Sequence, residues 1–119
     1  MAITPLDFLS FAKNLTSDTE INIRNTIGRS YYAAYHVCNN MFLSDKNIKD
    51  VGMHERLILS IKKSPNTQDR AIGFSLGQLK QLRVQADYKI NDAIHESDRQ
   101  TALASAENIF KKIEAIQSK

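Results

Sequence analysis

Two residues in one stretch are of types that can move a proton and hold a phosphate. In NTIGRSYYAAYHVCNN, Asn25 to Asn40, Arg29 and His36 stand seven apart. On a helix that spacing places them within about 20° on one face and ~10 Å apart along the axis. Histidine titrates near neutrality and can take the proton of a ribose hydroxyl or give one to a leaving oxygen. Arginine stays charged, and its planar fork can stabilise a pentavalent phosphate. Asn25, Tyr32 and Asn40 fall on the same line, which with Arg29 and His36 runs at steps of four, three, four and four. A solvated face would carry Lys and Glu in i, i+4 pairs, yet no acid and no lysine occurs from Arg29 to Leu43. Such a face suits an anionic partner, or a neighbouring helix that supplies the carboxylate. Spacing alone also leaves open a structural polar face or an interface. One Arg and one His are a thin site for phosphodiester chemistry, and a two-fold dimer would bring two such pairs together.

The elements that must position this face read as helices throughout. Thr4-Pro5 has the N-cap and first-position signature, and Leu6, Phe8, Leu9, Phe11, Ala12 and Leu15 follow at steps of three and four. Thr16-Ser17-Asp18 breaks that helix, and Ser17 with Glu20 has capping-box spacing for the next. The second helix is expected from about Asp18 to Leu43. Its apolar lines are Ile23, Ile27, Ala34, Val37 and Met41, and Tyr31, Tyr35, Cys38 and Phe42. Ser44 to Gly52 reads as loop, Met53 to Lys62 as a short helix, and Lys63-Ser64-Pro65-Asn66 as a breaker. A fourth helix is expected from Asn66 or Thr67 through Arg83, with Gly73 and Gly77 costing about 1 kcal/mol each unless a neighbour packs closely there. Tyr88 to Glu96 reads as irregular, and Ser97 with Gln100 as a capping box opening a last helix to about Gln117. That helix carries the stripe Ala102, Ala106, Ile109, Ile113 and Ile116. No run alternates as a strand would. The expectation is an all-α, up-and-down bundle of four to five helices forming one domain over residues 1–119.

Composition bounds the rest. The chain has 119 residues, one cysteine and a formal net charge of +3. That excludes a disulfide framework, and the mild basic excess is compatible with an anionic partner. The start, Met1 to Ser10, has no basic n-region or signal-length apolar run, and no window is apolar enough to span a bilayer. A reducing cytoplasm is therefore the expected location, with Cys38 as a small core residue and no membrane partner. Three histidines at 36, 54 and 95 show no paired ligand spacing, so neither a metal site nor a cofactor is expected.

Two motifs carry a family resemblance. GRSYYAAYHVCNNM resembles the signature helix of small prokaryotic HEPN-domain proteins, which read R-x-x-Y-Y-A-x-F/Y-H. Arg29, Tyr31, Tyr32, Ala33, Tyr35 and His36 match in kind, the tyrosine pair standing one place early. LRVQADYKIND is similar to the family's L-R-x-x-A-D-Y segment through Leu82, Arg83, Ala86, Asp87 and Tyr88. Met53-His54 opens the short helix where the family often has Gly-x-His, and the closing helix is also similar. The resemblance spans roughly residues 4 to 117.

It implies a bundle that forms a homodimer through the signature helices, with Arg29 and His36 at the dimer cleft. It further implies metal-independent cleavage of RNA by 2′-hydroxyl attack, in a protein of toxin or antiviral-defence type. A nucleotidyltransferase-type antitoxin is the implied partner. Other members lack catalysis and serve as nucleotide- or RNA-binding accessory modules, the alternative function here. The R-x4-H-x-Y form, whose tyrosine is a modification target, is absent because Cys38 follows His36 by two.

Six further residues have supporting or substrate-binding roles to be weighed. Tyr32 and Asn40 would hydrogen-bond substrate or orient His36. Arg83 and Asp87, four apart, either close a helical ion pair near Tyr88, or Asp87 holds Arg29 or His36 in place, or Arg83 binds phosphate. His54 either caps its own helix or approaches the cleft.

Overall fold

The computed structural model describes residues 2–118. Five helices make up its regular structure: α1 (Pro5–Asn14), α2 (Glu20–Met41), α3 (Met53–Lys62), α4 (Thr67–Tyr88) and α5 (Glu96–Gln117). No strand occurs among the described residues, so the fold is an all-α bundle. No helix among them is long and apolar enough to cross a membrane.

α2 is the element the others share, packing against α1, α4 and α5, while α4 also meets α3 and α5. Its lines of Ile27, Ala34 and of Tyr31, Cys38 are fully buried, against Leu57, Ile58 and Ile61 of α3 and Ile72, Leu76 and Leu79 of α4. From α5 come Ala102, Ala106, Ile109 and Ile113, the stripe read from its spacing. Each large aliphatic so buried contributes about 1.5–3 kcal/mol. Cys38 is completely enclosed, and that burial pushes its thiol pKa up to about 12. It is packing, not a nucleophile.

Helix starts follow the side chains that satisfy the first N–H groups. Thr4 caps α1 in a reciprocal pair with Asp7, whose carboxylate accepts the Thr4 N–H at 2.7 Å. At α2 the expected Ser17–Glu20 box is not used. Thr19 is the N-cap, its hydroxyl accepting the Asn22 N–H at 3.3 Å, and the helix ends at Met41. The Thr16 hydroxyl instead donates to Asp18 at 2.6 Å and accepts from the Asn22 amide at 2.8 Å, which ties the connection upstream of the cap. α5 starts two residues earlier than Ser97–Gln100 implies. His95 is its N-cap and Asp98 accepts the His95 N–H at 2.8 Å, a carboxylate being the better group against the helix dipole. α4 runs on to Tyr88, beyond the expected Arg83, so only 89–95 is irregular.

What ties that irregular segment down is Arg24, which spacing had not singled out. Its guanidinium is buried and donates to the carbonyls of Gln85, Ala86, Lys89, Ile90 and Asp92, with Glu20 on its Nε.

The two glycines of α4 are not equivalent. A Cβ at Gly73 would lie 2.8 Å from the Lys62 backbone nitrogen and 3.1 Å from Ile61 Cγ2, so α3 crosses there only because the side chain is missing. At Gly77 the nearest atoms are the flexible end of Lys62, at 3.3 and 3.4 Å. Gly73→Ala is expected to lose about 1–3 kcal/mol through forced separation of α3 and α4. Gly77→Ala is expected to be neutral or to gain up to ~1 kcal/mol from helix propensity. Urea midpoints of the two variants check this, and equal effects would refute it.

Candidate functional site

The polar line of α2 emerges between α1 and α4 as a half-exposed stripe: Arg29, Tyr32 and His36 are partly covered, Asn25 and Asn40 open. The Tyr32 ring is its centre. The Arg29 guanidinium carbon lies 5.1 Å from the ring centroid and that of Arg83, from α4, 5.3 Å. Arg83 also donates to the Tyr32 hydroxyl at 2.8 Å. Cations over a tyrosine ring interact with its negative face, so Tyr32 holds two guanidiniums that would otherwise repel.

Asp87 answers the question of the α4 pair. Its Oδ2 lies 2.9 Å from Arg83 Nε, an ion pair whose approach is too oblique for a hydrogen bond, since Nε has no such partner. Asp87 therefore does not hold Arg29 or His36. It can sit this close to α2 because residue 28 is glycine; a Cβ there would be 3.3 Å from Asp87 Oδ1. Tyr88 completes the group, with its ring 5.2 Å from the Arg83 guanidinium and its hydroxyl a long 3.5 Å away. Burial works against the Arg83 cation, but the Tyr32 and Tyr88 oxygens and the Asp87 carboxylate outweigh it and raise its pKa. Arg29 has no carboxylate partner among the described residues.

His36 is bordered by rings. Phe8 of α1 stacks on it at 5.3 Å and 21°, Tyr32 lies roughly parallel at 6.3 Å, and Tyr35 meets it edge-on at 5.4 Å. Phe8 had been read only as part of the apolar stripe of α1, and no spacing rule reports which ring a neighbouring helix will offer. Asn40, one turn beyond His36, is not part of the arginine cluster and lies with His36 on a small cavity against α1.

His54 does not cap α3, where Gly52 is the N-cap. Its imidazole lies flat on Tyr35, 3.9 Å between centroids and 5° between planes, and its Nδ1 is 2.7 Å from the Tyr31 hydroxyl. Burial drives the Tyr31 pKa far up, so its hydroxyl keeps its proton and can pair with Nδ1 of a neutral His54. Burial first, then the cations of Arg83 and Lys80 and the neighbouring His36, lower the His54 pKa.

The consequence is a pH dependence with a fixed sign. Below its ordinary value of 6.5 the unfolded His54 binds a proton that the folded one resists. Its contribution is complete above that value and is lost as pH falls below it. The urea midpoint is expected to drop between about pH 7 and about pH 5, and His54→Gln to flatten that drop. An unchanged drop in the variant would remove His54 as the cause.

Arg29, His36, His54 and Arg83 thus lie against the rings of Tyr32 and Tyr35, and Asp87 and Tyr88 join them through Arg83. Comparison with family models, curated proteins and solved structures finds no match to this chain. Its function has to be argued from this geometry. Two guanidiniums lie on the Tyr32 ring, one turn of α2 from the half-exposed His36, and only one of them is countered by a carboxylate.

Proposed function

We propose that this chain is a metal-independent endoribonuclease of toxin or antiviral-defence type, acting as a homodimer with Arg29 and His36 at the cleft. The observation that supports it is the uncountered Arg29 beside Arg83 on Tyr32, one turn from His36. The HEPN resemblance of the same residues supports it independently of the packing.

In this reading the phosphate sits against the guanidiniums, which hold its charge as the fifth oxygen approaches. His36 takes the proton of the 2′-hydroxyl. The 2′-oxygen bonds to phosphorus as the bond to the 5′-oxygen breaks, and that oxygen leaves with a proton. An imidazolium must give this proton, and a second copy of the helix across the two-fold supplies one. The products are a 2′,3′-cyclic phosphate and a 5′-hydroxyl, with no redox change and no need of a metal. A nucleotidyltransferase-type antitoxin is the regulator that the resemblance implies.

End-labelled single-stranded RNA incubated with the protein in excess chelator tests this. Cleavage leaving a cyclic phosphate and a 5′-hydroxyl is expected. Fragments with a 5′-phosphate would refute the chemistry, and binding without cleavage would establish the accessory-module alternative.

A further inference from the structure

The reaction described above leaves unused a surface cavity of about 310 Å³ beside His36, lined by Ile3, Thr4, Pro5, Phe8, His36 and Asn40. Its lining has a consistent character. Ile3, Pro5 and the Phe8 ring form an apolar wall, and among the described residues neither a carboxylate, a lysine nor an arginine reaches it. The Thr4 hydroxyl is committed to the α1 cap, where it accepts the Asp7 N–H. Asn40 is exposed, and its amide has no hydrogen-bond partner among the described residues, offering one acceptor and two donors.

A charged ligand group meets no carboxylate, lysine or arginine of the described residues in this cavity, and a purely aliphatic one would leave the amide unused. A flat, neutral group with apolar faces and a hydrogen-bonding edge uses both walls, which is the chemistry of an unpaired nucleobase. The volume lies at the small end of ligand sites, enough for one base rather than a stack. An asparagine amide fits the adjacent acceptor and donor of adenine in a bidentate pair.

We propose that this cavity binds one unpaired base, adenine by preference, with its edge on Asn40 and its face on Phe8 and Pro5. The ribonuclease reading enters only in placing that base next to the phosphate to be cut. The site then sets where along an RNA the His36 imidazole acts.

The test uses the full chain and trinucleotides that are 2′-O-methylated throughout, with adenine, uracil or no base at the centre. Binding is followed by amide chemical shifts. Adenine is expected to bind about tenfold more tightly than the abasic probe, the scale of one well-made base contact, with shifts centred on Phe8, His36 and Asn40. Asn40→Leu keeps the bulk at an exposed position and is expected to abolish the advantage of adenine over uracil. Equal affinity for the adenine and abasic probes overturns the proposal, as does an adenine preference surviving in Asn40→Leu or shifts centred elsewhere. The methylated probes have no free 2′-hydroxyl. Base binding in a protein that cuts no RNA would therefore uphold this site while refuting the ribonuclease reading, and the converse result would do the opposite.

Discussion

Arg24→Ala is expected to destabilise the fold by about 3–5 kcal/mol, the scale for removing one partner from a buried charged network. The side chain is only 7% exposed, and its fork reaches Ala86 O at 2.9 Å, Gln85 O and Lys89 O at 3.3 Å, Ile90 O at 3.4 Å and Asp92 O at 2.5 Å. A helix ends with four carbonyls that lack intrahelical partners, and here one guanidinium serves the end of α4 and the turn after it. Truncation takes away the donor to Ala86 O, Ile90 O and Asp92 O, while Gln85 O and Lys89 O keep the N–H groups of Lys89 and Asp92; each carbonyl left unpaired costs about 1–3 kcal/mol before relaxation. Arg24→Lys keeps the charge but not the fork, so an intermediate loss is expected. Glu20→Gln removes the Nε partner, but that carboxylate is half-exposed and the loss should stay within about 1 kcal/mol. Urea midpoints at constant slope measure all three. A loss below about 1 kcal/mol for Arg24→Ala would mean that water replaces the guanidinium at those carbonyls. Because the last turn of α4 carries Asp87 and Tyr88, a real loss should also loosen the Arg83 side of the site.

Arg24 also shows where reading the sequence stops. In EINIRNT it stands four residues after Glu20, which is the pattern of an ordinary surface ion pair. Whether it is surface or core depends on what arrives beside it, and the end of α4 lies more than sixty residues away along the chain. The irregular segment 89–95 is obscure for the same reason: it is held by side-chain donors from α2, which leave no periodicity of their own. The helices were legible because burial repeats every three to four residues, and the stripes of α5 and α2 carry that repeat openly. The polar line from Asn25 to Asn40 was legible as an exception to it. Its partners were less so. Tyr31 and Tyr35 share an apolar line with Cys38, and nothing in that spacing announces that one hydroxyl meets His54 while one ring stacks on it. Phe8 and Gly28 belong to the same class, since each matters through the helix it faces. Cap choice failed differently: Ser17 and Thr19 compete within three residues, and a hydrogen bond to Asn22 N decides between them.

His36→Ala is expected to lower RNA cleavage by about 10²–10⁴-fold, the range for loss of a positioned proton-transfer group. Arg29→Ala is expected to cost about 10²–10³-fold, the scale for one lost donor to a developing oxyanion. The two should differ in kind. The imidazole acts on the hydroxyl proton in the transition state, so its loss should fall on kcat with KM nearly constant. Arg29 meets a phosphate that is charged before and during reaction, so its loss should raise KM as well. Arg83→Ala should resemble Arg29→Ala but also reduce stability, because Arg83 binds Tyr32 and pairs with Asp87. Arg29 has no such partners, and its variant should unfold at the wild-type urea midpoint. Activity per molecule should also fall on dilution if the second copy supplies the leaving-group proton, and dimer-stabilising conditions should restore it. Full cleavage by both Arg29→Ala and His36→Ala would remove this face from the chemistry. Loss of cleavage with no dependence on protein concentration would keep the residues and confine the site to one chain.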